Sequence, residues 1–90
     1  MHLLVVVEEA VAARGGGTQV FPRFTLDKPS RGTLAVLLRL PNGQERRTRA
    51  TLDVAHIRGP MPPFALVRLI DDAPESVPTG TEIFRVDDDA

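Results

Sequence analysis

The chain has 90 residues, 42% of them hydrophobic, with 11 Lys and Arg against 12 Asp and Glu for a formal net charge of −1. That length suits one small core, and the near-neutral balance excludes a general electrostatic attraction to nucleic acid or to anionic membranes. Cysteine is absent, which excludes disulfides and thiolate zinc sites.

Residues 1–7 are apolar but carry no basic leader and run straight into Glu8 and Glu9. They are too short to span a bilayer and make a poor signal peptide, so a cytoplasmic location is expected. Residues 2–7 are rich in β-branched side chains and predict a strand. The Glu-Ala-Val-Ala-Ala composition of residues 8–14 would favour helix if taken alone. Gly15, Gly16 and Gly17 mark a turn or bulge, after which residues 18–26 predict a strand carrying Val20, Phe21 and Phe24. Pro22 inside that run implies an edge position or a bulge, because it has no N–H for a ladder.

Residues 27–32 read as a loop. From Thr33 to Leu40 the even positions Leu34, Val36, Leu38 and Leu40 are all aliphatic, which marks a core-facing side. Pro41, Asn42, Gly43 and Gln44 give the strongest hairpin signal, with Asn-Gly expected to supply positive φ values. The next strand alternates: Thr48, Ala50, Leu52 and Val54 are expected to point inward, and Arg47, Arg49, Thr51 and Asp53 outward. The pattern lapses near His56 and Ile57, as at a bulge or strand end. Residues 59–63 form a stiff proline-rich connection, residues 64–70 a strand, residues 71–80 a polar loop and residues 81–86 the last strand. The expected architecture is all-β: one small closed or partly open antiparallel β-barrel of about six strands over residues 1–86, followed by an acidic disordered tail at 87–90. Its expected core is Leu34, Val36, Leu38, Leu52, Val54, Val67 and Leu69.

Several stretches match a known pattern. Residues 7–18 read Val-Glu-Glu-Ala-Val-Ala-Ala-Arg-Gly-Gly-Gly-Thr, an acidic pair, an apolar strand and a G-x-G-T turn in that order, followed by Arg23-Phe24. Leu66-Val67-Arg68-Leu69-Ile70 precedes an acidic stretch and Gly80. In these features the chain resembles the second, β-barrel domain of translational GTPases such as elongation factor Tu. The resemblance implies that fold, and it implies that Glu8 and Glu9 occupy the place of an acidic pair that receives the aminoacyl-adenosine end of transfer RNA. Val11 stands where the family has an aromatic, and Ser30-Arg31-Gly32-Thr33 replaces a V-G-D-like turn. No G-x-x-x-x-G-K-[ST] occurs, so this chain does not hydrolyse GTP by that mechanism.

Among other candidates, Arg46, Arg47 and Arg49 form the densest basic cluster, with Arg47 and Arg49 on one outward face where they could contact phosphates. The plainer reading is a solvated strand whose charges discourage edge aggregation, and four phenylalanines with neither tyrosine nor tryptophan offer few stacking platforms. His2 and His56 are the only imidazoles, and no carboxylate spacing completes a metal site around them. Asp53, His56 and Ser30 form a triad by chance only, since no G-x-S-x-G elbow is present. Asp71, Asp72 and Glu75 lack a cation-loop pattern and read as solvated loop. In the stretch 59–64, Met61 and Phe64 suit either a protein contact or a cap on the barrel's open end.

The expected function is therefore a non-enzymatic, stand-alone barrel module that binds an unidentified protein partner through Glu8, Glu9, Val11, Met61 and Phe64. A translation-related accessory binding RNA through Arg46, Arg47 and Arg49 is the alternative. No cofactor, nucleotide, metal or membrane is expected, and homo-oligomerisation is left open.

Overall fold

A computed structural model of the chain describes residues 2–25, 32–55, 59 and 63–86. Among the described residues there are seven strands, β1 (His2–Val6), β2 (Glu9–Ala12), β3 (Thr18–Thr25), β4 (Leu34–Arg39), β5 (Glu45–Ala55), β6 (Phe64–Leu69) and β7 (Glu82–Arg85), with a short 3-10 helix at Pro74–Ser76. All pairings are antiparallel and form one sheet in the order β1-β7-β4-β5-β6-β3-β2. The protein is all-β, a small, partly open barrel.

The two ends of this strand order are consecutive in the chain, and that is what curls the sheet. β1 pairs with β7 and β2 pairs with β3. Between them, the Val7 N–H donates to the Thr81 carbonyl at 2.8 Å and the Glu8 N–H to the Phe21 carbonyl at 2.9 Å. One extended segment thus changes partner at Val7 and Glu8 and draws the sheet's two flanks together. The same corner explains why seven strands appear where about six were expected.

Residues 9–12 form a strand despite their helix-favouring composition. Helix propensities differ by less than about 0.7 kcal/mol per ordinary residue, and the ladder to β3 (Glu9 opposite Phe21, Ala12 opposite Thr18) outweighs that preference. Gly17 at the following turn has φ +79° and lies so close to β6 that a Cβ there would collide with the Leu69 carbonyl oxygen. Pro22 lies on a strand between β6 and β2, so of the two expectations the bulge applies: β3 advances from Val20 to Phe24 while its partners on β6 step from Val67 to Ala65.

In the β4–β5 hairpin the Gly43 N–H donates to the Leu40 carbonyl at 2.9 Å and the Leu40 N–H to the Gln44 carbonyl at 2.8 Å. Only Gly43 takes positive φ there; among the described residues every positive φ belongs to a glycine. Asn42 contributes through its side chain instead, accepting the Gln44 N–H at 3.0 Å.

Val5, Val7, Val20, Leu34, Val36, Leu38, Ala50, Val67, Leu69, Val77 and Ile83 form one buried cluster, and Leu52 packs against it while partly exposed. Val54 departs from the expected core: it is 37% exposed. The β4 ladder reaches only to the pair Leu34 and Ala50, so among the described residues the backbone of residues 51–55 is laddered to β6 alone. Val77, inside the expected polar loop, is instead buried. Two buried threonines satisfy their hydroxyls on backbone, Thr18 on the Asp72 carbonyl at 2.6 Å and Thr81 on the Pro78 carbonyl at 2.7 Å. The expected tail at 87–90, Ser30, His56, Ile57 and Met61 lie outside the described residues.

Candidate functional site

The β3 bulge has a second effect. By interrupting the in–out alternation it places Phe21, Pro22 and Arg23 consecutively beside the corner at Glu8 and Glu9. These five residues, with Phe64 and Leu66, line an open cleft of about 540 Å³. Phe64 and Leu66 alternate with buried Ala65, Val67 and Leu69 on β6, so they face outward from the core. Phe64 is therefore one wall of the cleft. The Arg23 guanidinium carbon stands 4.3 Å from the centroid of the Phe64 ring, a cation–π contact that fixes one wall.

The acidic corner is held by its backbone. Glu8 donates its N–H to Phe21 and its carbonyl accepts the Thr79 hydroxyl at 3.2 Å. Both glutamate side chains are exposed, and neither has an ion-pair partner among the described residues. The cleft thus joins apolar bodies, two available carboxylates and one guanidinium already engaged with a ring. Such a surface suits an apolar side chain accompanied by a positive charge.

Of the five expected partner-binding residues, the structure brings Glu8, Glu9 and Phe64 into the cleft. Val11 lies further along β2, opposite Gln19, and does not line it. Phe21, Pro22, Arg23 and Leu66 escaped the sequence reading. Their signals were the proline within a strand and an aliphatic residue at an outward position of β6.

The arginine strand is more heavily engaged than alternation alone suggested. Arg46 pairs with Asp72 at 2.7 Å and donates to the Ser76 carbonyl at 3.3 Å. Arg49 pairs with Asp71 at 2.9 Å. Arg47 is exposed and has no ion pair among the described residues. Asp72, expected to be solvated loop, has a side chain only 9% exposed and also accepts the Thr48 hydroxyl at 2.7 Å.

Among the described residues no group of three or more His, Asp or Glu side chains is arranged to hold a metal ion, and no helix is long and apolar enough to cross a membrane. Comparisons with family models, with curated proteins and with solved structures returned no match.

Proposed function

We propose that the chain is a non-enzymatic interaction module of the cytoplasm, a stand-alone barrel whose Glu8–Glu9 cleft receives a protein partner. The observation that carries this reading is the cleft itself: an exposed apolar hollow beside two carboxylates that have no ion-pair partner among the described residues. Its likeness to the second domain of translational GTPases, read from residues 7–18 and 66–80, is part of the same proposal. A partner segment presenting an aliphatic or aromatic side chain next to a Lys or Arg fits the lining best.

The test is affinity capture from ribonuclease-treated lysate with the wild-type protein, Glu9→Lys and Phe64→Ala side by side. The reading expects a protein retained by the wild type and lost from both variants while their folds persist. Equal capture by all three would overturn it. A translation-related RNA reading draws support from Arg47, whose exposed guanidinium has no partner among the described residues, but draws less from Arg46 and Arg49, whose charges are already matched by Asp72 and Asp71. RNA binding would show an affinity that falls steeply with salt and weakens in Arg47→Ala.

A further inference from the structure

A second hollow, of about 260 Å³, lies under the triple-glycine turn and is lined by Gly15, Gly16, Gly17, Thr51, Arg68 and Ile70. It shares no lining residue with the Glu8–Glu9 cleft. Arg68 occupies the middle of an outward row, opposite Gln19 on β3 and opposite Thr51 on β5. Two polar atoms of that row are buried without a hydrogen-bond partner among the described residues: Thr51 Oγ1, and Arg68 Nε, which has only an ion-pair contact with the Asp53 carboxylate at 3.6 Å. Buried polar groups are normally satisfied, and an unsatisfied Thr51 hydroxyl beside an incompletely satisfied guanidinium, both on residues that line one hollow, leave room for a ligand.

The turn above supplies what an oxyanion needs. Gly15, Gly16 and Gly17 all have positive φ, at 90°, 116° and 79°, and carry no side chains to hold a ligand away from the backbone. The Gly16 N–H is used internally, donating to the Ala13 carbonyl. Those of Gly15 and Gly17 donate to no group among the described residues. Among the described residues the lining contains one cation and no carboxylate. We propose that this hollow binds a small oxyanion of the phosphate class, either the free ion or the phosphate end of a monoester. The Arg68 guanidinium supplies charge and directed donors, and the Thr51 hydroxyl and the glycine N–H groups complete the cradle.

One neighbour opposes binding and gives the proposal its sign. The Asp53 carboxylate lies 3.6 Å from Arg68 Nε and accepts the Gln19 amide at 3.3 Å. An incoming anion competes with it for Arg68, so removing its charge strengthens binding.

The experiment is a titration of the isotope-labelled protein at constant ionic strength, followed by NMR, with inorganic phosphate in one arm and glycerol 3-phosphate in the other. Saturable shifts are expected at the amides of Gly15, Gly17 and Thr51 and at Arg68 Nε–H in at least one arm. Response to both ligands assigns a phosphate end, and response to inorganic phosphate alone assigns the free ion. Arg68→Gln weakens binding by about tenfold, Arg68→Lys weakens it less, and Asp53→Asn tightens it. Should Arg68→Gln fail to fold, Arg68→Lys and Asp53→Asn still carry the test, because they must move the affinity in opposite directions. No saturable shift in either arm, or affinities unchanged in these variants, overturns the proposal.

Discussion

Arg46 on β5 and Asp72 beyond β6 meet at 2.7 Å, and the same carboxylate accepts the Thr48 hydroxyl at 2.7 Å. Thr18 of β3 meanwhile donates to the Asp72 carbonyl oxygen. One loop residue therefore ties together β3, β5 and the segment leading to the 3-10 helix. Asp72→Ala leaves a half-buried guanidinium and a threonine hydroxyl without their acceptor, at an expected cost of about 1–3 kcal/mol. Asp71→Ala breaks a pair whose side chains are 62% and 55% exposed and should cost under about 1 kcal/mol. Urea denaturation of the two variants checks the difference.

Gly16 and Gly17 should separate in the same way. An alanine at Gly16, φ +116°, meets open space, so only the backbone conformation opposes it, at roughly 1–2 kcal/mol. At Gly17 the new methyl also runs into the Leu69 carbonyl oxygen, and β3 must shift away from β6. Gly17→Ala is expected to lower the thermal midpoint clearly further than Gly16→Ala.

Core truncations follow the coverage of β5. Ile83 and Leu38 are fully buried, and replacing either by Ala should cost about 2–5 kcal/mol. Val54, uncovered beyond the end of β4, should tolerate Ala at under about 1 kcal/mol. Equal losses at Val54 and Leu38 in chemical denaturation would mean that β5 is covered along its whole length.

The uneven legibility of the sequence has a physical pattern. Alternation named Leu34, Val36, Leu38, Val67 and Leu69 correctly: Val36, Leu38, Val67 and Leu69 have a paired strand on each side, and Leu34 is paired with buried Ala50; it failed at Val54 because it carries no information on where a partner strand stops. The Asn42-Gly43 turn was readable because its chemistry is local. The corner at Val7 and Glu8 was not, since a strand that changes partner looks the same as one that does not. For the site, Glu8, Glu9 and Phe64 were accessible through resemblance and composition. Phe21, Arg23 and Leu66 join them only after the Pro22 bulge has shifted register, and Arg68 reaches the glycine turn only through the pairing of β6 with β3.

The cleft makes its own charge prediction. Glu9 is exposed, without an ion-pair partner among the described residues, so Glu9→Lys should leave the denaturation midpoint almost unchanged while weakening partner binding. Glu9→Gln should weaken it less. Loss of stability in Glu9→Lys comparable to that of Asp72→Ala would mark Glu9 as structural. Side-by-side melting curves and binding isotherms check both expectations.

The most direct measurement is an NMR map of the contact surface, recorded as the captured partner is added to the isotope-labelled protein. Shifts concentrated at Glu8, Glu9, Phe21, Arg23, Phe64 and Leu66 are predicted. Shifts concentrated on Arg47 and Arg49, with those six residues unmoved, would contradict the assignment of the cleft as the binding surface.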